Sequence, residues 1–287
     1  MNTLQEIIRT IQLELKDLYP FEEIQSFIYL IFSKLHGYSR VQIHQSHQRE
    51  FSPSDLVQIN KIIEDLKNEK PIQYILEEAH FYDLIFKVDS NVLIPRMETE
   101  ELVHLVVKEN DFGEEINILD IGTGSGCIAI SLSRFIQESK VWAIDKYENV
   151  LAVAKENARL NHQEIKFLEH DILSDDISLG FESEMFDVMV SNPPYVCESE
   201  KKLMKKNVLN FEPAAALFVT DKNPLLFYEK ICIFAKKFLK QKGAIYFEIN
   251  EAFGIEVANL LKQNEFNEVV IHKDINGKDR IVRASKP

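Results

Sequence analysis

The feature that most constrains the fold is an alternation of short apolar segments with helical segments from residue 116 onward. Seven segments have the length and composition of strands: Ile116–Ile121, Lys140–Asp145, Lys166–Glu169, Phe186–Ser191, Ala244–Glu248, Glu268–Lys273 and Arg280–Ala284. Helices between consecutive strands return the chain to the same edge of a sheet. We therefore predict an α/β fold with a seven-stranded, mostly parallel sheet covered by helices on both faces.

The amino-terminal part of the chain has the period of amphipathic helices. Apolar residues recur at three- and four-residue spacing in three stretches: Leu4–Leu15, Phe21–Leu35 and Leu56–Leu66. Pro20 suits the first turn of the second helix and Gly37 its end, while Ser52 and Asp55 suit a capped start of the third. This part is predicted to form a helical bundle.

Length and composition set limits on domain number and location. The chain has 287 residues, 45% of them hydrophobic, which suffices for one large core and a smaller domain. We predict a helical domain over residues 1–75, a hairpin linker over 76–95 and the α/β domain over 96–287. Three scattered cysteines indicate no zinc site or disulfide framework, and no stretch is apolar enough to span a bilayer. We expect a cytoplasmic monomer that binds neither a metal nor a membrane.

A glycine-rich turn follows the first predicted strand. The run Asp120-Ile121-Gly122-Thr123-Gly124-Ser125-Gly126 leads from this strand into a helix, and glycines let a backbone turn tightly and approach a ligand closely. Asp145 ends the next strand about 20 residues on, where a nucleotide cofactor needs an acid for its ribose hydroxyls. The segment Gly124–Ala129 also matches a dinucleotide fingerprint, so an NAD-dependent oxidoreductase is an alternative at this point.

Two further acids favour S-adenosylmethionine over NAD. Asp120 precedes the glycines, where its charge would repel a pyrophosphate but would suit a cationic methionine group. Asp171 follows the third strand, at a position suited to the adenine amino group. Together with Asp145, these acids resemble the cofactor site of class I methyltransferases.

The tetrapeptide Asn192-Pro193-Pro194-Tyr195 follows the fourth strand and carries the predicted chemistry. An amide nitrogen is a poor nucleophile because its lone pair is delocalised into the carbonyl group. The Asn192 side-chain oxygen and the Pro193 carbonyl can each accept one N–H of a planar NH2 group, and Tyr195 can pack on its flat face. Such positioning needs no strong base, since the proton can leave after methyl transfer.

The tetrapeptide alone leaves the acceptor open. It suits both a glutamine amide and the exocyclic amine of adenine in DNA or RNA, and a binding module that has lost catalysis is a further alternative. The formal net charge of −13 disfavours direct nucleic-acid binding, because an acidic protein repels a phosphate backbone.

Further segments resemble the release-factor glutamine methyltransferases (the HemK-type family). In order along the chain they are Pro71–Ile75, Ile94–Glu100, Phe211–Pro213 with Ala216 and Leu217, and Asp274–Arg280. The resemblance covers the chain from about residue 71 to its end and implies a Rossmann-like class I methyltransferase fold. It also implies transfer of a methyl group from S-adenosyl-L-methionine to N5 of the glutamine in the Gly-Gly-Gln tip of class I peptide chain release factors.

The same resemblance implies the roles of site residues. The implied cofactor contacts are Gly122, Thr123, Gly124, Ser125, Gly126, Asp145, Asp171, Ile172 and Asn192. The implied glutamine-binding residues are Asn192, Pro193, Pro194 and Tyr195, of which Asn192, Pro193 and Tyr195 are catalytic. The helical domain is expected to help recognise the release factor. Ile172 stands where the family often has an aromatic residue, and Met97 replaces a usual proline.

A basic run follows the tetrapeptide and consists of Lys201, Lys202, Lys205 and Lys206. A solvated helix face explains such a run most simply. The sharper hypothesis is that it docks an acidic surface of the substrate.

Overall fold

The computed structural model describes residues 3–110, 113–175, 180–181 and 185–287. Its contacts divide the chain into two compact units, and the first comprises Met1–Glu78 and Lys205–Phe211. The second unit comprises Ala79–Met204 and Glu212–Pro287. Within the described ranges, no helix combines the length and apolar character that crossing a membrane requires.

The elements follow one another in chain order. The α-helices are α1 (Leu4–Leu15), α2 (Phe21–His36), α3 (Arg40–Gln45), α4 (Pro53–Lys67), α5 (Ile72–Leu76), α6 (Met97–Asn110), α7 (Cys127–Phe135), α8 (Glu148–Leu160), α9 (Lys206–Phe211), α10 (Ala214–Leu217), α11 (Leu226–Phe238) and α12 (Gly254–Gln263). The strands are β1 (Ala79–Phe81), β2 (Leu84–Phe86), β3 (Ile116–Ile121), β4 (Ser139–Asp145), β5 (Ile165–Glu169), β6 (Phe186–Ser191), β7 (Val196–Cys197), β8 (Phe218–Val219), β9 (Leu239–Glu248), β10 (Asn267–Lys273) and β11 (Asp279–Ser285). Short 3-10 helices cover Glu198–Leu203 and Glu251–Phe253.

The first unit is helical, and local signals set the ends of its helices. The Ser52 hydroxyl accepts from the backbone N–H of Asp55, whose carboxylate accepts from the backbone N–H of Ser52, so α4 begins with a capping box. Gly37 ends α2 with a left-handed φ of 68°. The prediction for Pro20 was wrong by one position: its extended ψ of 152° makes it the N-cap, and α2 begins at Phe21. The apolar stripes of α1, α2 and α4 form one core, as predicted.

The second unit begins with a hairpin. Strands β1 and β2 pair antiparallel, with Phe81 opposite Leu84. The two residues between them, Tyr82 and Asp83, have φ values of 47° and 60°, the left-handed region that a two-residue turn of this kind requires. The Tyr82 backbone N–H donates to the Glu100 carboxylate at 3.0 Å, which holds the turn on α6.

The second unit is built on a seven-stranded sheet of order β10-β11-β9-β6-β3-β4-β5. The pairs among β9, β6, β3, β4 and β5 are parallel, whereas β11 pairs antiparallel with both β9 and β10. The predicted mostly parallel sheet is therefore confirmed. Because the chain runs from β3 outward to β5 and returns to β6 on the other side of β3, the strand order reverses between β3 and β6. Ligands bind at such a point in open α/β sheets.

Helices cover both faces of this sheet. One face packs Leu119, Trp142 and Phe247 in a core that also includes residues of α11 and α12. The other packs Ile118 and Val190 in a core with residues of α6 and α7. Successive residues of β3 point to opposite faces, so the side chain of Asp120 lies on the same face as Ile118.

Candidate active site

The glycine-rich turn leaves the carboxyl end of β3 and leads into α7. Gly124 has a φ of 55° and lines a cavity, and its backbone N–H donates to Asp145 Oδ2 at 3.1 Å. Gly126 has a φ of 83°, and a Cβ there would lie 2.9 Å from Ile130 Cδ1. The first of these glycines therefore keeps the turn open toward the cavity, and the other leaves the space that Ile130 of α7 and Ala154 of α8 occupy.

Asp120 does not occupy the position that the sequence suggested. Its side chain is fully buried under the turn, where Oδ2 accepts from Thr123 Oγ1 at 2.6 Å and from the backbone N–H of Ala129 at 3.3 Å. Burial raises the pKa of this carboxyl group to about 7. The expectation that Asp120 faces a cationic ligand was wrong, because the alternation along β3 directs it toward α7. It holds the shape of the turn from below.

Asp145 lies at the carboxyl end of β4 and lines the cavity. Its Oδ1 accepts from the backbone N–H of Tyr147 at 3.3 Å, and its Oδ2 accepts from Gly124. Burial raises the pKa of Asp145, and these backbone hydrogen bonds oppose the rise. The carboxylate is thus fixed beside the turn, at the edge where the sequence predicted an acid.

Asp171 and Ile172 follow β5 and line the same cavity. Asp171 Oδ1 accepts from the backbone N–H of Leu173 at 2.9 Å, and its Oδ2 forms an ion pair with Lys146 Nζ at 3.0 Å. Burial alone would raise the pKa of Asp171, but these two partners outweigh burial and lower it. This end of the cavity therefore presents an ionised acid next to an apolar side chain.

The tetrapeptide after β6 forms another part of the cavity wall. Asn192, Pro193 and Pro194 line it, and Asn192 Nδ2 donates to Thr99 Oγ1 at 3.1 Å. Tyr195 is directed elsewhere: its hydroxyl donates to Glu248 Oε1 at 3.0 Å. Among the described residues, the cavity wall includes the first three members of the tetrapeptide and stops short of Tyr195.

The cavity has a volume of about 550 Å³ and brings together the predicted residues of four strand ends, those of β3, β4, β5 and β6. From the turn after β3 it includes Gly122 to Ser125, from β4 Asp145, and from the segment after β6 Asn192 to Pro194. A cavity of this size at the reversal of strand order is the expected place for a nucleotide-sized ligand and a small acceptor group.

Comparisons with known proteins identify the family of this chain. Two family models match the chain: the Methyltransferase small domain over residues 97–218 and the PrmC N-terminal domain over residues 6–76. A release factor glutamine methyltransferase of Flavobacterium psychrophilum is 44% identical over 275 residues, covering 94% of this chain and 95% of that protein. One from Bacteroides thetaiotaomicron is 41% identical over 286 residues and covers 100% of both chains.

This chain belongs to the release factor glutamine methyltransferase family. The family resemblance and the fold predicted from the sequence are therefore confirmed. Among solved structures, a methyltransferase from Pyrococcus furiosus matches with a TM-score of 0.53 at 17% identity, covering 79% of this chain and 98% of that one. That likeness concerns the fold alone. Family membership favours methyl transfer over NAD-dependent oxidation.

Two signature segments of the family meet at the cavity. Arg96, which lines the cavity, forms an ion pair with Glu212, and the same carboxylate accepts from the backbone N–H of Ile94 at 3.3 Å. Glu212 is buried. A third signature segment forms its own ion pair, in which Arg280 binds Asp274 at 3.3 Å. The first two sequence signatures thus mark residues that connect loops at the cavity.

Thr99 and Glu248 were not predicted as site residues. Both are buried, and Thr99 Oγ1 donates to Glu248 Oε2 at 2.6 Å. Burial raises the pKa of Glu248, while hydrogen bonds from Thr99 and Tyr195 and the charge of Arg280 oppose the rise. One signal was available in the sequence: Glu248 is an acid at the carboxyl end of a predicted strand, as Asp145 is.

The basic run is divided between the two units. Lys201 lies in the short helix Glu198–Leu203, with Nζ 4.3 Å from the ring centre of Phe218 and 3.5 Å from Glu198 Oε1. Lys202, Lys205 and Lys206 are exposed. Lys201 therefore belongs to the local packing, and the other three are available to a partner.

Proposed function

We propose that this protein transfers a methyl group from S-adenosyl-L-methionine to the side-chain amide nitrogen of a glutamine, the one in the Gly-Gly-Gln tip of class I peptide chain release factors. The observation that carries the proposal is the juxtaposition of Asn192 and Pro193 with the glycine-rich turn in one cavity. Relatives that cover 94% and 100% of this chain are named release factor glutamine methyltransferase, which supports the proposal.

The residues around the cavity fit S-adenosylmethionine. A Cβ built at Gly122 or Gly124 meets no described atom within 4 Å, so the turn leaves room for a ligand to lie against its backbone. We assign the ribose hydroxyls to Asp145 and the adenine to Asp171 and Ile172. Thr123, Ser125 and Asn192 complete the proposed cofactor site, whereas Gly126, which the sequence also suggested, lies outside the cavity lining. When bound, the cofactor supplies an electrophilic methyl group on a positively charged sulfur.

The chain's contribution to the reaction is to orient the acceptor. Asn192 Oδ1 and the Pro193 carbonyl each accept one N–H of the glutamine amide, which favours the positive charge that this nitrogen gains as it forms the new bond. Pro193 is buried, so these acceptors act where water is scarce. The methylated nitrogen then loses one proton to solvent, and no strong base is required. We assign Pro194 to the wall of the glutamine site.

Tyr195 is proposed to support this site from behind. Its ring follows the two prolines, and its hydroxyl is tied to Glu248. Burial is the largest cause that raises the pKa of Tyr195, so the phenol stays neutral and remains a hydrogen-bond donor. Tyr195 lies outside the cavity lining, so we infer that it does not pack on the amide, as the sequence suggested, but keeps the tetrapeptide in register.

The proposed partner is the release factor alone. We assign its recognition to the helical unit and expect a monomer in the cytoplasm that has no direct nucleic-acid contact. The net charge of −13 supports this choice over methylation of adenine in DNA or RNA.

The test is a transfer assay with labelled S-adenosylmethionine. Purified protein is incubated with a class I release factor and, separately, with duplex DNA and RNA. Label in the release factor alone is expected, and label only in nucleic acid rejects the proposal in favour of the adenine methyltransferase. Asn192→Ala should lower kcat at least 100-fold, by analogy with the loss of one preorganised transition-state hydrogen bond, which costs about 10²–10³. Full activity in this variant would remove Asn192 from the mechanism.

A further inference from the structure

Glu248 is a buried carboxylate at the end of β9, next to the tetrapeptide. The strand register pairs Ser191 with Phe247, so Asn192 and Glu248 are the next residues along neighbouring parallel strands. Each carboxylate oxygen accepts from one hydroxyl group: Oε2 from Thr99 at 2.6 Å and Oε1 from Tyr195 at 3.0 Å. One acid is thus connected to both ends of the tetrapeptide.

These connections determine which atom of Asn192 faces the cavity. A carboxylate can only accept, so the single hydroxyl hydrogen of Thr99 must point to Glu248. The Thr99 oxygen then offers only lone pairs to Asn192, and within the Asn192 amide only Nδ2 can donate to them, at 3.1 Å. The other end of the amide, Oδ1, is therefore turned away from Thr99.

We propose that Glu248 and Thr99 are positioning residues that fix the amide of Asn192 with Oδ1 available to the substrate. This inference rests on the proposed function, because it is Asn192 Oδ1 that accepts an N–H of the glutamine amide. If the Asn192 amide were free to rotate by half a turn, Nδ2 would meet the substrate NH2 group, donor against donor. The relay from Glu248 through Thr99 excludes that orientation before the substrate binds.

Loss of the hydrogen bonds that join Glu248, Thr99 and Asn192 should lower kcat more than it weakens the binding of substrate or cofactor. Glu248 and Thr99 do not act on the reacting atoms themselves. By analogy with the residues that orient metal ligands, their removal should change activity by about 10- to 100-fold. Cofactor binding should be nearly unchanged in the Thr99→Val variant, because valine has the same shape as threonine.

Thr99→Val removes the hydroxyl group and keeps the volume, while Thr99→Ser keeps the hydroxyl group. We expect T99V to lower kcat about 10- to 100-fold, with the KM for the release factor and the Kd for S-adenosylhomocysteine close to wild type, and to lower the Tm because the buried Glu248 carboxylate loses one hydrogen-bond donor. T99S should retain most of the activity, and T99V combined with Glu248→Gln should be no slower than T99V alone. Thr220→Val, the same change at an exposed threonine, serves as the matched control.

Two kinetic results would overturn the relay: an unchanged kcat in T99V, or an equal loss in T99V and T99S, which would indicate packing rather than the hydroxyl group. A second measurement needs no substrate. In protein labelled with 15N at asparagine, the side-chain NH2 of Asn192 should exchange slowly with solvent in wild type and faster in T99V. Equal exchange in both proteins contradicts the relay. Absence of methyl transfer in wild type would instead refute the proposed function, and the exchange measurement would still test the relay.

Discussion

Gly126→Ala should destabilise the second unit, and the structure gives the size of the effect. A φ of 83° costs a residue with a Cβ about 1–2 kcal/mol. The new methyl group would lie 2.9 Å from Ile130 Cδ1 and 3.2 Å from Ala154 Cβ. Overpacking of a core adds about 1–3 kcal/mol. The total loss in the free energy of unfolding is therefore about 2–5 kcal/mol.

The steric part can be separated from the backbone part by removing the atom that is closest. Ile130→Val deletes Cδ1 and by itself costs about 0.5–1.5 kcal/mol. In that background, Gly126→Ala should cost about 1 kcal/mol less than in wild type, a coupling well above the scatter of about 0.3–0.5 kcal/mol for independent sites. Gly122→Ala is the control: its φ is 73°, but a Cβ there meets no described atom within 4 Å, so its cost should not depend on Ile130.

Urea unfolding followed by the fluorescence of Trp142 measures these free energies. This residue is the one tryptophan of the chain and lies buried in β4, so it reports on the sheet that carries the turn. If the effects of Gly126→Ala and Ile130→Val on the free energy of unfolding were additive, the close contact with Ile130 would not be a reason that position 126 is glycine.

The remaining predictions concern pH, the cofactor and the helical unit. Because burial raises the folded-state pKa of Asp120 from 3.8 to about 7, its contribution to stability should fall as pH rises through that window and level off above it. At about 1.4 kcal/mol per pKa unit, the free energy of unfolding should fall by about 4 kcal/mol across this window. The Asp120→Asn variant should lack this fall when its free energy of unfolding is compared at pH 4 and pH 8. Asp145→Asn should weaken S-adenosylhomocysteine binding at least tenfold in calorimetry, because the amide keeps only one of the two acceptor oxygens; unchanged affinity would move the ribose site elsewhere. Ser52→Ala should cost the helical unit about 1 kcal/mol in thermal unfolding, because it removes one partner of the capping box at α4, and an unchanged Tm would contradict that role.

Much of the fold could be predicted from local patterns. The central strands are apolar on both faces and stand between helices. Their positions in the sequence and their parallel direction could therefore be predicted. Short elements such as α3 and α5 were missed because five or six residues are too few to show a helical period. The hairpin turn lacks glycine, although Tyr82 and Asp83 adopt left-handed φ values. The turn is held by a hydrogen bond from Tyr82 to Glu100, a residue outside the hairpin.

The candidate site likewise contains residues that could be predicted from the sequence and residues that could not. Residues that line the cavity, such as Gly124, Asp145 and Asn192, lie directly after strands, where the chain order itself brings them together. The direction of Asp120 depended on which face of β3 it occupies, and the sequence does not reveal which helix covers that face. Thr99 and Glu248 are joined by a hydrogen bond across 149 positions of sequence, so their pairing is visible only in the folded chain, although the position of Glu248 at a strand end was a signal in the sequence.

The most direct test of the proposed activity is tandem mass spectrometry of the Gly-Gly-Gln peptide from a class I release factor incubated with this protein and S-adenosylmethionine. We predict one added methyl group, on the glutamine side-chain nitrogen, present with the wild-type protein and absent with Asn192→Ala. An unmodified glutamine, or a methyl group on any other residue of the release factor, would contradict the proposal that the Asn192–Pro193 acceptors select this amide.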